Sequence, residues 1–143
     1  MAAILMHEDG RYFLQHRDPK PGIWYPDHWG CFGGAVEPGE DVADALKREL
    51  TEEISWAPDA ATFFTNFDFD LGFAGAGVCY RAYYVALLPA AVVPRLVLRE
   101  GADMRSFTAD ELFALPRVVP YDAFALWLHF ARDRIAPSRL APP

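Results

Sequence analysis

From residue 42 onward, apolar side chains return at every fourth position: Val42, Leu46, Leu50 and Ile54. That spacing lays them on one stripe of an α-helix, at roughly 100° per residue. Asp41 follows a proline and a glycine and is a good N-cap, so the pattern predicts a helix over Asp41–Ile54. Elsewhere the apolar positions alternate or run together, which predicts strands. These are Ala3–His7, Arg11–His16 after a turn at Glu8-Asp9-Gly10, Trp29–Phe32, Ala61–Asp70, Val78–Leu88 and Val92–Leu98. Pro94 would confine the last of these to an edge or a bulge. Asp18 to Gly22 holds two prolines and a glycine and must be a loop, which runs on through Pro26. Gly72–Gly77 is glycine-rich and predicts a turn. Thr108 with Glu111 three residues on fits a capping box and opens a short helix. Tyr121–Ile135 predicts a final helix with Phe124, Trp127, Leu128, Phe130 and Ile135 on its buried face. Mostly strands, one helix in the middle and one or two at the end imply an α/β (α+β) domain with helices packed on a sheet.

The chain has 143 residues, of which 52% are hydrophobic and 15% aromatic. This suits a single domain over 1–143 with a sizeable core. No apolar run approaches about 18 residues, so no membrane span or membrane partner is expected. The first residues lack the basic region of a secretion signal, and a cytoplasmic location is the expectation. Cys31 and Cys79 read as reduced, buried thiols. A net charge of −7 disfavours a nucleic-acid polymer as partner, because such partners bind through basic patches. It leaves room for a small phosphorylated substrate if cations bridge the two.

Gly33 to Trp56 carries seven acidic side chains. On the predicted helix Lys47, Thr51, Asp44 and Arg48 point to water, and Glu52 lies one turn from Arg48. Glu49 and Glu53 project onto the edge of the apolar stripe, near Val42 and Leu46. A carboxylate there is partly desolvated, and unpaired it costs several kcal/mol or takes up a proton. Oxygen ligands at such spacing suit Mg²⁺ or Mn²⁺.

These residues resemble a known motif. Gly34, Glu40 and Arg48-Glu49-Leu50-Thr51-Glu52-Glu53-Ile54-Ser55-Trp56 are similar to the Nudix box, G-x5-E-x7-R-E-U-x-E-E-x-G-U with U a bulky apolar residue. One position departs: Ser55 stands where the family has glycine. That glycine ends the helix in a left-handed conformation, so serine there costs about 1 kcal/mol or less and touches no chemistry. The resemblance implies a Nudix-type mixed sheet sandwiched between helices. It also implies Mg²⁺-dependent hydrolysis of a nucleoside diphosphate linked to another group, with Mn²⁺ a possible substitute.

Carried over residue by residue, the metal ligands would be the Gly33 carbonyl, Glu49, Glu52 and Glu53, with Glu100 as a further one. Glu49 or Glu52 would be the general base, Glu40 would support the cluster from outside, and Arg48 would orient a glutamate, most simply Glu52. Trp24, Tyr25 and Tyr121 are candidates for stacking on a base. His7, His16, His28 and His129 are scattered and read as packing or surface. Subgroup marks outside the box are missing: Leu71 and Gly72 stand where ADP-ribose hydrolases carry a proline, and Asn66 is the sole asparagine. A small nucleotide remains as the partner, a nucleoside triphosphate or a nucleotide sugar, acted on by a monomer or homodimer. Two alternatives stand beside this. One is a ligand-sensing module of the same fold, which usually loses box glutamates. The other is a prenyl diphosphate isomerase, for which Cys31 is a nominal candidate.

Overall fold

The computed structural model describes residues 1–75 and 77–135. Its sheet is built from β1 (Ala2–Met6), β2 (Tyr12–His16), β3 (Trp29–Gly30), β4 (Thr62–Asp70), β5 (Val78–Leu87) and β6 (Asp103–Phe107). Among the described residues three α-helices accompany them: α1 (Val42–Ile54), α2 (Ala109–Ala114) and α3 (Pro120–Ala131). The strand order is β3-β2-β1-β5-β4, and β6 pairs with β2. β1 and β5 run parallel, with Ala2 opposite Tyr83 and Met6 opposite Leu87, while β4 returns antiparallel to β5.

Two cores lie on the two faces of this sheet. Ala3, Leu5, Phe13 and Phe32 meet Leu46, Leu50 and Ile54 of α1. Ala2, Ile4, Tyr12, Leu14 and Tyr83 meet Leu112 of α2 and Ala125 and Leu126 of α3. Because both faces of β1 are covered, its sequence AAILM is a continuous apolar run. The helices therefore sandwich a mixed sheet, as the motif implied.

Three sequence expectations need correction. Val92–Leu98 is not a strand; a single 3₁₀ turn, Val93–Arg95, carries Pro94. The strand that fills that part of the sheet is β6, formed by full-length pairing with β2 from Tyr12–Phe107 to His16–Asp103. The final helix ends at Ala131, followed by a 3₁₀ turn at Arg132–Arg134. Its buried face is Asp122, Ala125, Leu126 and His129, while Phe124, Trp127 and Ile135 are about half exposed. Smaller shifts affect Trp29–Phe32, where only Trp29–Gly30 is strand and Phe32 makes an isolated bridge to Ala3. Gly72–Ala74 is the predicted turn; Ala76, inside it, lies outside the described residues. Cys31 is buried as expected, whereas Cys79 is only partly so.

Candidate active site

The acidic cluster is positioned by the start and end of α1. Asp41 caps the helix by accepting from the Ala43 and Asp44 N–H groups. At the other end Ser55 sits at φ 57, ψ 31, the left-handed C-cap expected of the motif's glycine. Its hydroxyl accepts from Arg99 Nε at 2.6 Å. The Val97 and Arg99 N–H groups then bind the Ile54 and Glu53 carbonyls. Those bonds satisfy helix-end acceptors that would otherwise be orphaned. They also bring Glu100 to the site, where Gln15 Nε2 holds its carbonyl at 2.8 Å.

Glu53 is 5% exposed, and its Oε2 accepts from the Gly33 N–H at 2.9 Å. Burial pushes its carboxyl up to about 8, and the charges of Glu100 and Glu49 push the same way. The Gly33 N–H and the charge of Arg81 oppose this without reversing it. Gly33 has φ 127, and a Cβ there would lie 2.6 Å from the Met1 carbonyl oxygen. A Cβ on Gly34 would lie 2.5 Å from Glu49 Cδ, so the glycine makes room for that carboxylate.

Arg48 is placed differently from the expectation. It is not a solvated residue paired mainly with Glu52. Nε and Nη2 bind the two oxygens of Glu40 at 2.9 and 3.0 Å, Nη1 binds Glu49 at 2.9 Å, and Nη2 also reaches the Ala35 carbonyl. Glu52 is the distant member at 3.5 Å and its side chain is 61% exposed. A fork bonded to both oxygens fixes a carboxylate's plane as well as its charge. Arg48, aided by the Glu37 N–H, holds the Glu40 carboxyl down at about 2. Glu40 thus supports Glu49 through Arg48. Among the described residues no three His, Cys, Asp or Glu side chains are drawn close enough together to hold a metal ion.

The aromatic candidates do come together. The Tyr25 ring lies 5.6 Å from that of Tyr121 and 6.4 Å from that of Trp24. Tyr25 and Asp27 both take positive φ, 50 and 60, so the loop is tightly wound. It is tied by Arg17 to the Trp24 carbonyl and by Arg117 to Asp27. Of the histidines, His129 is buried between Tyr12 and Arg132, and burial pulls it down to about 4. His7 is buried against the Leu88 carbonyl and Ser106. Neither meets the acidic cluster. Cys31 lies buried in the α3-side core, where burial pushes its thiol well up.

Arg81 and Asp122 form a second polar centre that no sequence motif announces. Asp122 is 1% exposed and accepts from the Cys31 N–H, Arg81 Nε and Tyr83 hydroxyl at 2.9 to 3.0 Å. The signal available was a lone arginine inside the apolar run of β5 and a lone aspartate at the start of an apolar helix.

The family model for the NUDIX domain matches residues 1–128, and the chain belongs to the Nudix family. A nucleoside triphosphatase NudI from Escherichia fergusonii is 44% identical over 50 residues, 35% of each chain. The aligned stretch thus spans about a third of that curated relative. The MutT protein of Methanosarcina mazei Go1 superposes with a TM-score of 0.77 at 17% identity, over 94% of this chain and 93% of that one. A MutT NUDIX hydrolase from Burkholderia pseudomallei gives 0.68 at 25% identity, over 88% and 92%.

Proposed function

We propose that the protein is a Nudix hydrolase that cleaves a phosphoanhydride in a nucleoside diphosphate linked to another group, with Mg²⁺ as cofactor and Mn²⁺ as a substitute. The observation that carries this is Glu53: a buried carboxylate that feels the charges of Glu100 and Glu49, with one backbone N–H as its hydrogen-bond partner among the described residues. Such a group calls for a cation in place of a proton. The donors available, the Gly33 carbonyl, Glu49, Glu52, Glu53 and Glu100, are all hard oxygens, the chemistry that suits Mg²⁺. When bound, divalent ions neutralise phosphate charge and acidify water.

The chain's own residues would do the rest. Glu40 fixes Arg48, and Arg48 fixes Glu49, so Glu49 is held as a base for the attacking water while the exposed Glu52 is free to swing in as a ligand or as the alternative base. Trp24, Tyr25 and Tyr121 offer ring faces to a nucleobase. The nucleoside triphosphatase named among the relatives favours a nucleoside triphosphate over a nucleotide sugar. The retention of all four box glutamates counts against a sensing module.

The test is release of phosphate or pyrophosphate from a panel of nucleoside triphosphates and nucleotide sugars with and without Mg²⁺. Mg²⁺-dependent turnover of at least one is expected. Turnover of none, or turnover that survives complete chelation, overturns the reading.

A further inference from the structure

Beside the acidic cluster a cavity of about 520 Å³ opens between the 34–36 segment and β5, lined by Gly34, Ala35, Val36, Phe63, Tyr84 and Arg81 among others. Among the described residues, Arg81 is the one cationic side chain lining it. Its side chain is 14% exposed and its Nε is bonded to Asp122 Oδ1 at 3.0 Å. Among the described residues, none hydrogen-bonds its two terminal nitrogens. The Nε edge of Arg81 is thus taken up by Asp122, and the residue also lines the cavity.

The position is informative on both sides. Toward α1, the charge of Arg81 reaches Glu53, and Gly34, against which Glu49 packs, lies on the same cavity wall. Toward α3, its guanidinium carbon is 5.1 Å from the centre of the Tyr121 ring, which in turn meets Tyr25 and Phe69. A mostly buried cation gains from an anion on any edge that Asp122 leaves open. Arginine's planar fork allows both at once, one edge on a carboxylate and the other on a phosphate.

We propose that Arg81 determines specificity for phosphate in this cleft, Asp122 clamping its Nε so that the terminal nitrogens bind a phosphate oxygen of the substrate. This rests on the reading of the protein as a hydrolase of nucleoside diphosphate derivatives.

The probe is inorganic tripolyphosphate with Mg²⁺, titrated calorimetrically into the wild type, R81K, R81Q and Y83F. R81Q should bind about tenfold to a hundredfold more weakly, the range expected for a lost charge-assisted hydrogen bond. R81K should recover part of that loss, because its point charge cannot serve Asp122 and the ligand together. Y83F removes a different partner of Asp122 and should bind within about twofold of the wild type, whereas a purely structural role for the network would make it resemble R81Q. Should R81Q fail to fold, R81K, which keeps a charge opposite Asp122, decides. Wild-type affinity in R81K and R81Q overturns the proposal, as does Y83F weakening equally or a wild type that does not bind the probe. The hydrolysis panel is scored separately. Turnover with no effect at Arg81 sinks this inference alone, and Arg81-dependent binding without turnover sinks the hydrolase reading alone.

Discussion

Arg48 and Glu40 are locked by two parallel hydrogen bonds across eight residues, at 2.9 and 3.0 Å, and the same guanidinium reaches Glu49. A supporting residue of this kind acts by orientation, and its loss typically lowers activity about 10- to 100-fold. E40Q should fall in that range in kcat. E49Q, which alters the group held by Arg48, should lose about 100-fold or more. Steady-state kinetics on the nucleotide that turns over best checks the order. An E40Q variant more impaired than E49Q would contradict it.

Glu53 ties stability to pH. Burial pushes its carboxyl up to about 8 in the folded chain, far above its ordinary 4.5. Protonation is then stronger in the folded state, so the contribution is complete below about 4.5 and is lost as pH rises through 8. Without divalent metal, Tm should fall between pH 6.5 and 9, reflecting a stability loss on the order of a few kcal/mol at most. E53Q should flatten this limb while losing turnover. Mg²⁺ should raise Tm at pH 8.5 more in the wild type than in E53Q. Differential scanning calorimetry with chelator and with Mg²⁺ reads all three.

His129 acts with the opposite sign. Burial lowers it from 6.5 to about 4, so its contribution is complete above 6.5 and fades as pH falls toward 4. Between about 4.5 and 6.5 the two groups offset each other, and metal-free Tm should be nearly level there. In H129Q the acid side of that plateau should lose its compensation, leaving Tm highest near pH 4.5 to 5. A thermal-melt series across pH 4 to 9 tests this.

Gly34 should separate activity from folding. A methyl group there meets the far end of Glu49 rather than backbone. G34A should therefore keep its Tm within a few degrees and lose about tenfold or more in kcat by displacing the carboxylate. Equal loss of both would mean the cleft wall itself had moved.

Much of this was visible in the chain. Asp41, the Leu46-Leu50-Ile54 stripe and Thr108 with Glu111 are local signals that act within one or two turns, and the structure keeps each. Ser55 is instructive, since a left-handed serine is tolerated where Arg99 reaches its hydroxyl. β6 was missed because DMRSF has no clean alternation; it is a strand by virtue of pairing with β2. The buried face of α3 was misread because two of its members, Asp122 and His129, are polar. They belong inside only because Arg81, Tyr83 and Tyr12 wait there, and periodicity cannot see partners 39 to 117 residues away. Arg48 was sent to Glu52 by helical spacing, whereas the loop before α1 folds back to offer Glu40.

The three bonds on Asp122 have a temporal consequence. They join it to positions 91, 41 and 39 residues earlier in the chain. Contacts that distant form late, after the loops between them have closed. Until α3 docks, Arg81 sits in an apolar strand with no carboxylate to clamp it, so this wall of the cleft acquires its shape only with α3 in place. Recovery of ligand binding during refolding should therefore follow the docking of α3 rather than the formation of the glutamate helix.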